Sequence, residues 1–187
     1  MSSITMMEAQ TRSNRNRVTK RAPGKAKTGL DSTAESPSRV FTDVLLAIKS
    51  EHLTNIINRQ KNHEYRKYRL RDGVERLWLY ETAAAGGKAS ITHIAVIPGS
   101  VRHVPGSVPT EPFGIGNEDF NAGLKQSKYG YPILELYELV QPVTLAEMRS
   151  RWVMGGAPMG WCYVRADLWM DRWGNSCDRS QKVKRVF

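Results

Sequence analysis

The chain predicts an α+β domain: a mixed β-barrel of five to six strands with two or three short helices, preceded by a disordered basic N-terminal tail. Two observations lead there. Between residues 41 and 97, four short strand-like runs accompany one helical segment, a density of elements that suits a compact mixed barrel. With 187 residues and 40% hydrophobic content there is enough for one core plus polar ends, and too little for a second full domain. The segments of low hydrophobicity lie at the two ends. The expected organisation is therefore a tail at 1–40, a domain at 41–177 and a basic C-terminal tail at 178–187.

Residues 1–38 are rich in Ser, Thr, Arg, Lys and Gly and poor in large apolar side chains, too few to offset the entropy of ordering. The spaced cations Arg12, Arg15, Arg17, Lys20, Arg21, Lys25 and Lys27 suit a nuclear-import signal or a phosphate-binding arm, and equally a solvated tail. A buried strand is expected over 41–48. Ser50 is placed to cap a helix whose apolar face is Leu53, Ile56 and Ile57, ending near Arg59. Residues 63–70 alternate as a strand, Glu64, Arg66, Tyr68 and Leu70 facing one way and His63, Tyr65, Lys67 and Arg69 the other. Neither face is apolar, as on an edge strand or the wall of a polar cleft. After the Asp72-Gly73 turn, aromatic and aliphatic residues predict a strand over 76–82, and after Gly86-Gly87 another over 90–97.

Residues 98–116 hold four prolines and four glycines, the composition of a long functional or disordered loop. A short helix is expected over 117–125 with Asn117 as its cap, then a strand over 131–140 with Pro132 near its start. Thr144 with Glu147 has capping-box spacing for a helix to about Trp152. Beyond the turn at 155–158, residues 161–165 form the closing strand and 167–173 a terminal helix.

The net charge is +10, which favours nucleic acid or another anionic surface as partner. Its layout is uneven: +5 over 1–40, +3 over 178–187, and +2 over the whole of 41–177. Between Arg59 and Arg71 six basic side chains face a single acid, Glu64, so the remainder of the middle region is slightly acidic. Cys162 and Cys177 cannot build a disulfide framework, and neither they nor the four scattered histidines have metal-ligand spacing. The expectations are no metal, no cofactor and an intracellular location, nucleus or cytoplasm, the basic arm tilting toward the nucleus. No apolar run approaches the length that spans a bilayer, so no membrane association is expected. Nothing in the chain identifies a protein partner.

Within the basic stretch, Lys61 follows the helix and is placed to project into a cleft mouth. Held by Glu64 it stays charged and binds phosphate; desolvated, its pKa falls and it can act as a base. An exposed turn lysine is the bland alternative. Glu64 and Arg66, two apart on one strand face, can pair structurally, or the guanidinium can fork onto a phosphate or base edge. Tyr65 and Tyr68 interleave with the cations as single-stranded nucleic-acid sites do; Tyr68, beside Arg66, is the preferred stacking residue. Lys49 ends the first strand and can reach the same cleft. Glu81 and Thr82 are candidate supporting groups, and Asn117 is better explained as a cap than as a phosphate site. The tryptophans at 78, 152, 161, 169 and 173 fit a core better than an aromatic cage.

Ala47-Ile48-Lys49 before a helix, then Lys61, Glu64 and Arg66 entering a strand, resemble the ASCH family of PUA-like barrels. Its Gly-x-Lys-x-x-Glu-x-Arg signature is met except that Arg59 stands in the glycine position. The Leu-Trp-Leu-Tyr and Ile-Leu-Glu-Leu-Tyr-Glu-Leu runs are similar to later strands of that family, and the likeness spans 44–164. It implies an RNA-binding or nucleotide-handling cleft. Some members look like ribonucleases. Others resemble hydrolases that deacylate a modified cytidine with a lysine and a threonine three residues on, where this chain has Glu64. The expected function is binding of RNA or single-stranded nucleic acid through Lys49, Lys61, Arg66, Tyr68 and Arg69. A nucleic-acid-processing hydrolase, with Lys61 and Glu64 catalytic, is the alternative.

Overall fold

The computed structural model describes residues 38–187; the basic arm before them lies outside the described residues. Strand β1, Arg39–Ile48, runs parallel to β3, Arg76–Glu81, within a six-stranded sheet. On one side β1 pairs antiparallel with β7, Trp161–Arg165. On the other, β3 pairs with β4, Ser90–Val96, then β6, Glu135–Thr144, then β8, Val183–Arg185. A separate two-stranded ribbon joins β2, His63–Arg66, to β5, Tyr129–Pro132. Among the described residues, five α-helices connect them: α1 Ser50–Ile57, α2 Asn117–Asn121, α3 Leu145–Trp152, α4 Ala166–Arg172 and α5 Arg179–Lys182.

The central strands are apolar on both faces because both are covered. Val44, Leu46, Ile48, Leu77 and Leu79 share a core with Leu53 and Ile56 of α1 and with Leu70 and Tyr131. The alternate residues Leu45, Trp78 and Tyr80 share a second core with Met148 and Trp152 of α3, Leu168 of α4 and Trp173. Asp43, fully buried, accepts from the Arg76 guanidinium through both carboxylate oxygens and from the Trp78 indole, so its charge is compensated.

The α+β class and mixed sheet are as expected, but the ladder does not close: among the described residues β7 and β8 are its two edges. Ser50 is the first helical residue, Lys49 occupies the cap position, and the Ser50 hydroxyl donates to Glu81 instead. Likewise Gly116, in a left-handed conformation, precedes α2, so Asn117 is not its cap. The strand expected over 63–70 ends at Arg66, beyond which the backbone bonds to the Tyr131 hydroxyl rather than to a neighbouring strand. The strand expected over 131–140 is two. Pro132 has no N–H to continue the ribbon, and Leu134 donates to Val96, carrying the chain across to the main sheet. Thr144 does cap α3, accepting from the Glu147 amide at 3.2 Å. Residues 178–187 are not a tail: α5 and β8 lie there, and β8 pairs with β6 because Val183 buries into the second core.

Candidate nucleic-acid interface

The site begins where α1 ends. Asn58 closes the helix, and Arg59 then adopts φ +59° while Gln60 and Lys61 both donate to the carbonyl of Asn55. This left-handed turn at the position where the ASCH signature has glycine reverses the chain and swings the Lys61 side chain inward. Lys61 is only 7% exposed. Its ammonium stands 2.5 Å from Glu64 and donates to the carbonyl of His63. The other Glu64 oxygen is 2.9 Å from the Arg66 guanidinium, which also donates to the Ala47 carbonyl and so ties β2 to the end of β1.

One carboxylate between two cations leaves one positive charge in a nearly buried triad. Burial alone would raise the Glu64 pKa, but Lys61 and Arg66 outweigh it and hold the carboxyl below its ordinary value. Burial also pulls Lys61 down from its ordinary value, against the attraction of Glu64.

Lys61 is a wall common to two clefts. The first, about 290 Å³, is lined by His52, Lys61, Glu64, Tyr65, Lys125 and Gln126 among others. The second, about 450 Å³, is lined by Arg59, Lys61, Asn62, Phe113, Arg185 and Phe187 together with Ile133 and Leu134. The 98–116 loop supplies Phe113 and is docked where Ile115 donates to the Gln60 carbonyl and the Asn62 amide to that of Pro112. A Cβ at Gly114 would displace the Asn62 side-chain amide, which bonds the Pro112 carbonyl and the His63 ring.

Of the residues expected from the sequence, Lys61 and Glu64 reach the clefts. Arg66 supports them from behind. Lys49 is exposed beside the start of α1, and Arg69 pairs with Asp72 in solvent; neither lines the clefts. Tyr68 packs against the first core, its ring 6.3 Å from that of Trp161. Tyr65 is the cleft aromatic instead: Lys61 and Lys125 lie 5.5 and 5.9 Å from its ring centre and its hydroxyl donates to Asn117. The strand break after Arg66 is what reverses that expectation. Lys125, Phe113, Arg185 and Phe187 carry no local signal that would have joined them to Lys61, since they come from separate parts of the chain.

No family model matches the chain, and no curated protein matches it. Among solved structures, a tyrosine-to-phenylalanine mutant of ASCH from Zymomonas mobilis matches with a TM-score of 0.50 at 12% identity, over 67% of this chain and 92% of that one. The fold is ASCH-like. A serine-to-alanine mutant of the same protein has a TM-score of 0.49 at 15% identity, over 71% of this chain and 93% of that one. In this ASCH-like fold the sequence likeness is too low to carry over a function, so the chemistry rests on the residues themselves. Among them no group of three His, Cys, Asp or Glu side chains is arranged to hold a metal ion, and no helix is long and apolar enough to cross a membrane, both within the described residues.

Proposed function

We propose that the clefts around Lys61 bind RNA. The supporting observation is a nearly buried ammonium, held in place by Glu64, that walls two adjoining clefts whose linings include Arg59, Lys125 and Arg185. A phosphate entering there meets cations already oriented, and Tyr65 supplies an aromatic beside them. Binding of a fluorescent single-stranded RNA, followed by anisotropy across a salt series, tests the reading. Affinity is expected to fall steeply with salt and to drop more for Lys125→Ala than for Arg15→Ala. Equal losses would move binding from the cleft to the arm.

The hydrolase reading is favoured by one feature, the burial that lowers the Lys61 pKa beside a carboxylate. Lys61 would then act as base or nucleophile with Glu64 as its proton partner. Turnover of RNA or of an acylated cytidine, abolished by Lys61→Met in protein that still melts cooperatively, would establish it; no turnover by the wild type leaves a binding protein.

A further inference from the structure

The two clefts meet at Lys61, and each sets cationic side chains beside apolar or aromatic ones. The first sets Lys61, Glu64, Lys125, Gln126 and Ser127 beside the apolar surface of Tyr65 and Ile115. At about 290 Å³ it stands at the lower end of the ~300–1,000 Å³ typical of small-ligand sites. The second combines an apolar wall, Phe113, Ile133, Leu134 and Phe187, with the guanidinium groups of Arg59 and Arg185. A nucleotide has the same division: a flat apolar face and a charged phosphate.

Phe113 is 70% exposed and belongs to neither core, yet the 98–116 loop is held against the 60–62 turn, the Ile115 N–H donating to the Gln60 carbonyl and the Asn62 side-chain amide to that of Pro112. Its ring is therefore presented on an anchored segment and not merely left in solvent. Arg59 lies 4.7 Å over the Phe187 ring, keeping one cation at the apolar wall. Arg185 engages Glu135 through one nitrogen, leaving most of its five donors for a ligand.

We infer that the two clefts are consecutive nucleotide subsites on one single-stranded path: Lys61 meets the phosphate between them, and the second subsite stacks a base on Phe113 while Arg185 takes its phosphate. This rests on the proposed RNA-binding function and narrows it to single strands of at least two nucleotides. Stacking on a ring tolerates any base, so the second subsite selects strandedness and length rather than sequence. A duplex, its bases already stacked on one another, cannot offer the required face.

Calorimetric titration of the full chain with uridine 5′-monophosphate, the 5′-phosphorylated uridine dinucleotide and a short RNA duplex tests this. The dinucleotide is expected to bind at least tenfold more tightly than the mononucleotide and the duplex. Phe113→Ala is expected to remove roughly five- to hundredfold of dinucleotide affinity. Its effect on mononucleotide binding is expected to be smaller, as is that of Arg185→Gln, whereas Lys125→Ala should weaken both ligands. Both second-cleft side chains are solvent-accessible, so thermal melting of these variants should match the wild type. Equal binding of mono- and dinucleotide, equal binding of the duplex, or a dinucleotide preference that survives the Phe113→Ala/Arg185→Gln double substitution would overturn the two-subsite path while leaving RNA binding in place. Failure of the wild type to bind any of these ligands or a longer single strand would overturn the underlying function as well.

Discussion

Arg59 holds a left-handed backbone, its guanidinium over the Phe187 ring, and these two features oppose each other energetically. Replacing it with glycine relieves ~1–2 kcal/mol of backbone strain. The same change forfeits ~0.5–1 kcal/mol of cation–ring attraction and gives the unfolded chain about 0.5–1 kcal/mol of extra freedom. Arg59→Gly is therefore expected to move the urea-derived stability by less than about 1 kcal/mol while reducing the slope of RNA affinity against salt by about 1. A large loss of stability would mean that the cation–ring contact dominates the turn, and a large gain that backbone strain does.

His63 carries a separate prediction at the same scale. Burial first, then the nearby charges of His103 and Lys61, push its pKa from 6.5 down to about 4, and its Nε2 is buried without a partner. Between those values the unfolded chain binds a proton that the folded chain refuses. The stabilisation is complete above pH 6.5 and is lost as pH falls toward 4. His93 is lowered too, again chiefly by burial. Melting temperatures of His63→Phe measured from pH 4 to 7 should therefore show a flatter dependence than wild type, though not a level one.

Among the elements, β5 does more than pair with β2. Its Tyr131 hydroxyl, in a fully buried side chain, donates to the Tyr68 carbonyl and accepts from the Leu70 amide. These bonds replace a strand ladder for the segment after Arg66 and explain why the alternating pattern there does not become a longer strand. Tyr131→Phe keeps the ring but strands a buried N–H, at an expected cost of about 1–3 kcal/mol measured by chemical denaturation. A neutral result would mean that the segment finds water. The change of sheet at Pro132 belongs with this: one apolar run serves two sheets, which period-two patterning cannot distinguish from a single strand.

Across the whole molecule, the sheet stands between the two cores. The helix leading to Lys61 packs on one core and α3, with its exposed Arg149, on the other. Charges farther apart than the ~8–10 Å Debye length scarcely act on one another at physiological salt. Arg149→Ala is thus expected to leave RNA affinity within about twofold of wild type, whereas Lys125→Ala lowers it; anisotropy at fixed salt distinguishes the two. Equal effects would mean that net charge, not the cleft, governs binding.

The α+β class, the strands at 76–81 and 90–96, the Thr144 cap and the spacing that sets Lys61, Glu64 and Arg66 together could all be read from the chain, because each depends on neighbours within a few residues. Which cations and aromatics face a ligand could not. The turn at Arg59, the loop carrying Phe113, Lys125 beyond α2 and the strand ending at Arg185 come into register only when the sheet is assembled. Local periodicity states which side of an element is apolar, and the packing of distant elements decides what stands opposite it.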